Sequence, residues 1–287
     1  MCDETDLANF ARKGLSRRGF GAGAIAGAAA ACAPIDTMPG GQSGALTEST
    51  VSFATDNDTA DGFFVHPRDG RHPGVILWPD IAGIREAKRQ MARRLASEGY
   101  AVLVMNPYYR DVAGEQFADF PSFAAQQGFE KVKPWREKLN AGAIGADANR
   151  AAAWLREQGA VDVGRGIGSQ GYCMGGPFAI WSAGFDEHVR AAASFHGGGL
   201  VRDGEYSPHR MLDEDAQYLI AVARNDDAKE PQTTATLRQT ASAAGIDAEI
   251  EVYPADHGWC VPDSPAYDHA AAERAWGRLL ALYREAL

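Results

Sequence analysis

From Thr50 to Leu287 the chain alternates short apolar runs with amphipathic ones, and that alternation limits the folds open to it. Gly74-Val-Ile-Leu-Trp78 ends at Pro79-Asp80, and Tyr100-Ala-Val-Leu-Val-Met105 ends at Asn106-Pro107. Both runs are short and lack a polar face, so they read as strands buried on both sides. Between them, Glu86 to Glu98 sets Ala87, Met91 and Leu95 at spacings of four, the stripe of an amphipathic helix, with Gly99 as its C-cap. The series continues with a helix from Ala148 to Gln158, strands at 191–195, 218–223 and 248–253, and a closing helix from about Ala266 to Leu287. Val51 to Phe53 and Asp61 to Val65 read as an antiparallel pair ahead of it, and Tyr108 to Gly145 as a long variable region. Such alternation predicts an α/β fold, a mainly parallel sheet with helices on both faces, in one domain over 50–287.

The first fifty residues read differently. Ser16-Arg17-Arg18-Gly19-Phe20 runs into the charge-free stretch GAGAIAGAAAACAP. Paired arginines ahead of such a stretch are the pattern of a twin-arginine export signal, and the stretch is too short to span a bilayer. Ala31-Cys32-Ala33 is a candidate cleavage site, with a membrane lipoprotein anchored through Cys32 as the alternative. We therefore expect residues 1–33 to be a signal read by the export machinery and 34–49, rich in Gly, Ser, Thr and Pro, to be a linker. The mature protein is expected in the periplasm.

Composition removes several function classes. Acids outnumber bases 38 to 28, a net charge of −10, so no basic surplus exists to neutralise nucleic-acid phosphates. The sequence has no HExxH, EF-hand loop or Walker A motif, and its four cysteines (Cys2, Cys32, Cys173, Cys260) are spaced unlike a zinc site, so no metal is expected. The absence of C-x-x-C argues against a thiol redox protein.

The chemistry concentrates at Gly171-Tyr172-Cys173-Met174-Gly175, between a strand and a helix-like run. This is the G-x-nucleophile-x-G turn of the α/β-hydrolase fold, with Cys in place of Ser. The turn strains the nucleophile's backbone and brings neighbouring turns close, which requires glycine on either side. A helix N-terminus behind the sulfur favours thiolate. The overlapping Gly166-Ile-Gly168-Ser-Gln-Gly171 spells a dinucleotide fingerprint, but it lies within the strand instead of following it.

The remaining partners should follow in the order acid, then base. Asp226 and Asp227 come just after the strand ending at Ala223, and Asp226 is preferred for its distance from the strand end. His257 follows the strand ending at Tyr253, and His196, after Phe195, is the second choice and a candidate pocket residue. In this scheme Cys173 attacks a carbonyl carbon, His257 carries the proton and Asp226 orients the imidazole. The backbone amides of Met174 and Ile81 are the expected oxyanion donors.

With GYCMGG, PDIAG, ARNDD and YPADHGW in view, followed by a closing helix that contains Tyr, the sequence from Thr50 to Leu287 resembles the dienelactone hydrolase (carboxymethylenebutenolidase) family. The resemblance implies an α/β-hydrolase fold, a Cys-His-Asp triad, no cofactor, and a small-molecule lactone or ester substrate. Thioesters and other carboxylic esters are the alternatives on the same fold, and a non-catalytic small-molecule binding protein that keeps the turn is the alternative from another class, against which the order of Cys173, Asp226 and His257 counts. It also implies a carboxyl group at Asp80, where the namesake has Glu to help control thiol ionisation, and arginines that grip a substrate carboxylate. Arg110 is the candidate for the first arginine; Trp259-Cys260-Val261 stands where the second would lie. Asp80, Tyr108, Arg110, His196 and Trp259 are thus the expected substrate-binding residues. With one cation in the clamp, neutral esters should be accepted as readily as acids.

Overall fold

The computed structural model describes residues 45–56 and 58–287. The expected export signal, with Arg17, Arg18 and Cys32, lies outside the described residues, as does 34–44 of the expected linker.

Eight strands form one sheet: β1 (Leu46–Ala54), β2 (Thr59–Pro67), β3 (Gly74–Trp78), β4 (Ala101–Met105), β5 (Ile167–Tyr172), β6 (Val189–Phe195), β7 (Gln217–Ala223) and β8 (Ala248–Tyr253). Their spatial order is β1-β2-β4-β3-β5-β6-β7-β8. The β1–β2 and β2–β4 pairs are antiparallel and all the others parallel. This is the α/β-hydrolase arrangement, and the reversal of strand order around β3 and β5 opens a crevice at their carboxyl ends, where ligands bind in such sheets.

The strand pair ahead of the series begins earlier than the sequence implied. β1 starts at Leu46, so 46–49 belong to the sheet and not to a linker; Leu46 lies opposite Pro67 and Glu48 opposite Val65. Its polar residues suit an edge strand with a solvated face, and Arg93 holds Glu48 at 2.8 Å.

The helices cover both faces. α1 (Glu86–Ser97) follows β3; α2 (Phe120–Ala125), α3 (Gly128–Arg136) and α4 (Ala141–Glu157) lie between β4 and β5. After them come α5 (Gly175–Phe185), α6 (Arg224–Lys229), α7 (Pro231–Ala244) and α8 (His269–Ala286). Ile144, Ala148 and Leu155 of α4 pack with Ile180 of α5 and Leu237 of α7 on one face. Leu95 of α1 and Leu279 and Tyr283 of α8 pack on the other. Among the described residues no helix is long and apolar enough to cross a membrane.

α4 begins two turns before its expected start. Asn140 caps it by accepting from the amide of Ala143, and Gly145, which reads against a helix in sequence, lies where a Cβ would meet the Phe185 ring at 2.6 Å. α2 and α3 arise within the expected variable region. Their Phe120, Phe123 and Val132 form a small core with Ile81 and Tyr108, which roofs the crevice.

Candidate active site

Cys173 stands at the turn from β5 into α5 with φ +53°, a left-handed conformation that a residue with a side chain adopts only when its surroundings enforce it. Here they do. Its amide donates to the Phe195 carbonyl at 3.0 Å, and the Gly176 amide closes back on the Cys173 carbonyl at 3.1 Å. A Cβ on Gly171 would overlap the Gly175 carbonyl, and one on Gly175 would sit 2.6 Å from the carbonyl oxygens of Trp78 and Pro79. The glycines allow β3, β5 and α5 to crowd together behind the sulfur. Cys173 is 7% exposed, at the floor of the crevice.

The ends of β7 and β8 bring Asp226 and His257 to the same crevice. Asp226 Oδ2 lies 2.6 Å from His257 Nδ1, and the His257 amide donates to Asn225 Oδ1 at 2.7 Å. Asp227 points elsewhere and accepts from the Thr234 hydroxyl at 2.6 Å. Asp256 pairs with Arg224 at 2.8 Å and helps to tie the two strand ends together. His257 is buried, and its ring faces the Cys173 sulfur. Burial disfavours the imidazolium, but attraction to the Cys173 sulfur and the bond to Asp226 outweigh it and lift the pKa to about 10.

Ile81 and Met174 line the crevice beside Cys173. Tyr108 is buried beneath them: its hydroxyl donates to the Ile81 carbonyl at 2.8 Å and approaches Met174 Sδ at 3.4 Å. It braces the loop that presents Ile81 instead of lining the crevice.

Asp80 is not available to the thiol. Its carboxylate accepts from Arg85 Nη1 and Nη2 at 2.8 and 2.9 Å and from the Ala82 amide at 3.0 Å, with Lys88 Nζ 2.8 Å away. Burial works against its charge, but Arg85 and Lys88 prevail and hold the carboxyl well below the usual range, so it keeps no proton for Cys173. Arg85 also reaches Asp263 at 2.7 Å, and Asp263 accepts from the Phe120 amide at 2.9 Å. One buried network thus joins the Ile81 loop, the start of α2 and the segment after His257.

A cavity of about 160 Å³ opens beside Cys173, comparable to one that accepts a benzene-sized group. Met174, Phe178 and Trp181 give it apolar walls, and Arg136 and Arg202 supply positive charge. The Arg202 guanidinium lies over the Trp181 ring at 4.6 Å. Among the described residues no carboxylate pairs with Arg202, and partial burial lowers its pKa. No group of three or more His, Cys, Asp or Glu suited to a metal occurs among the described residues.

The profile of the dienelactone hydrolase family matches residues 60–287. The chain belongs to this family. A Salmonella typhi protein assigned as a carboxymethylenebutenolidase is 30% identical over 263 residues, 88% of this chain and 93% of that one. A Klebsiella pneumoniae structure assigned as a dienelactone hydrolase superposes with TM-score 0.71 at 26% identity, over 84% of this chain and 99% of that one. The dienelactone hydrolase of Anabaena variabilis shares the fold, with TM-score 0.60 at 17% identity over 84% of this chain and 99% of that one. Membership makes this chain a hydrolase acting on ester or lactone bonds.

Within that family setting, the expected substrate contacts need correction. Arg110 forms a two-pronged pair with Asp147 of α4 at 2.7 and 2.8 Å, and Tyr109 donates to the same carboxylate at 2.6 Å; none of them lines the cavity. Asp80 is sealed in its network. Trp259 is fully buried and stacks on Tyr253 at 4.7 Å, and His196 packs behind His257. Cys260 faces the Lys88 side and does not line the cavity. Sequence reasoning missed Arg136 and Arg202, which come from the end of α3 and the loop after β6. Neither has a sequence neighbour that marks it.

Proposed function

We propose that this hydrolase cleaves a lactone or carboxylic ester by nucleophilic attack of Cys173, through a thioester with the enzyme. The observation that carries the reading is the Asp226–His257 bond of 2.6 Å, with the imidazole facing a sulfur held at a strained strand-to-helix turn. The sulfur, as thiolate, attacks the carbonyl carbon, and the oxyanion is received by the amides of Ile81 and Met174. Protonated His257 gives its proton to the departing alkoxide, and the carbon–oxygen bond breaks. Neutral His257 then takes a proton from water, the hydroxide adds to the thioester, and collapse expels the thiolate and leaves the acid. Asp226 holds the imidazole in its tautomer and offsets its charge at each stage.

For the substrate we propose an unsaturated or aromatic acyl body that ends in a carboxylate. Its body would lie against Trp181 and Phe178, with the charge toward Arg202 and Arg136. This reverses the expectation of indifference to charge, which rested on Arg110. The test pairs a carboxylate-bearing lactone with its methyl ester. Wild type is expected to favour the acid about tenfold in kcat/KM, since a charge-assisted bond at a rim position is worth of order one decade. The preference should weaken with salt and vanish in Arg202→Gln. Equal rates for both compounds in wild type would contradict the substrate class.

We also propose export by the twin-arginine route to the periplasm, supported by Arg17-Arg18 ahead of a charge-free run. Such export carries folded proteins, so Cys173 would meet an oxidising compartment already buried. Replacing Arg17 and Arg18 with Lys should leave precursor in the cytoplasm; unchanged export would contradict the route.

A further inference from the structure

His196 ends β6 at a price in conformation: it has φ +41°, although it carries a full side chain. Its amide donates to the Ala221 carbonyl at 2.8 Å, which fixes the turn, and its ring is 1% exposed. Among the described residues neither ring nitrogen has a hydrogen-bond partner of good geometry. Buried imidazoles ordinarily bond through at least one nitrogen, and residues that break both rules at once cluster at functional sites. What His196 does meet is ring surface. Its centroid lies 4.7 Å from that of His257 with the planes inclined at 59°. Beneath it, Trp259 and Tyr172 lie 6.1 and 6.3 Å away. These two are themselves stacked, Tyr172 on Phe195 at 5.2 Å and Trp259 on Tyr253 at 4.7 Å. His257 therefore rests on an aromatic shelf whose top member is an imidazole.

We propose that His196 is a positioning residue: its uncharged ring, seated on this shelf, supports His257 in its protonated form opposite the Cys173 sulfur. The proposal rests on the reading of Cys173 and His257 given above. An aromatic face attracts a cation, most strongly where water is excluded. His196 does not compete for the proton. Burial, then the charges of His257 and Lys88, hold its pKa well below the ordinary value, against a weaker opposite pull from Asp80. The groups that act on His257 are Cys173 after β5, Asp226 after β7 and His196 after β6.

The test is the pH dependence of Cys173 alkylation by iodoacetamide in the full chain, which reads the thiolate–imidazolium pair without needing a substrate. Wild type should show a lower apparent pKa, where the pair forms, and an upper one, where His257 loses its proton; both belong to the coupled pair. His196→Phe keeps the ring and should leave both values within about 0.3 of wild type. His196→Ala and His196→Gln remove it and should narrow the interval by about one pH unit, the scale of a desolvated cation–π contact. The Gln variant fills the space, so a folding failure of the Ala variant leaves the test in force. A merely structural His196 would lower the melting temperature in these variants and leave the interval intact, which would overturn the proposal. So would a Phe variant displaced as far as Gln, since the nitrogens would then be what matters. An ordinary single thiol titration in wild type would overturn the underlying Cys173–His257 reading, and this proposal with it.

Discussion

Asp226→Asn is expected to lower kcat by about 10³–10⁴-fold while leaving the fold intact. The side chain keeps its size, but an amide cannot offset the imidazolium, and it can present its NH₂ to Nδ1 and trap the wrong tautomer. The neighbouring carboxylate supplies the control. Asp227 is committed to the Thr234 hydroxyl, so Asp227→Asn should change kcat less than about threefold. The double variant Asp226→Asn/His257→Ala should be no slower than His257→Ala alone, because groups that act as one unit do not add. Steady-state kinetics of the four variants on one activated ester decide the matter. A crippled Asp227→Asn beside a mild Asp226→Asn would transfer the role to Asp227.

The second large effect is on stability. Asp80→Ala is expected to cost about 3–5 kcal/mol, because it leaves Arg85 and Lys88, both fully buried, with Asp263 as their remaining close anion. For a domain of this size that corresponds to a fall of about 6–20 °C in Tm. The sign of the pH dependence follows from the lowered Asp80 pKa. Its contribution is complete above the ordinary carboxylate value, near 4, and is lost as pH falls toward the depressed folded-state value. Calorimetry should therefore show wild type losing stability in acid more steeply than Asp80→Ala. A substitution with no effect on Tm at pH 7 would mean that the buried network is not a source of stability. Activity should fall as well, because Asp80 also accepts the Ala82 amide and so shapes the loop that carries Ile81.

Much of the candidate site's geometry was legible in sequence because it is tied to the backbone. A strained turn that brings three elements within carbonyl contact forces glycine on both sides of Cys173, and strand ends put Asp226 and His257 at one edge of the sheet in a fixed order. The cations of the cavity carry no such mark. Arg110 is two residues from Tyr108, yet Tyr108 turns inward to Ile81 while Arg110 turns to Asp147 on α4. Arg136 and Arg202 are more than sixty positions apart, in stretches without periodicity, and only the folded chain brings them to one cavity. Lys88 shows a different failure. It lies on the apolar side of α1, where a pattern of hydrophobic spacing treats a lysine as solvated; its burial depends on Asp80, eight residues away. Its place after β6 singled out His196 as a pocket residue, whereas the fold buries it behind His257, a ring contact that no sequence pattern marks. The polar stretch 46–49 was misread because an edge strand and a linker share a composition.

Intact-mass measurement after rapid acid quench tests most directly whether Cys173 carries the acyl group. With an activated aryl ester whose deacylation is slow, the mature chain should gain one acyl mass. Peptide mapping should place that mass on Cys173, hydroxylamine should remove it, and Cys173→Ala should show neither adduct nor turnover. Turnover at the wild-type rate by Cys173→Ala, or an acyl group mapped to another residue, would contradict the account.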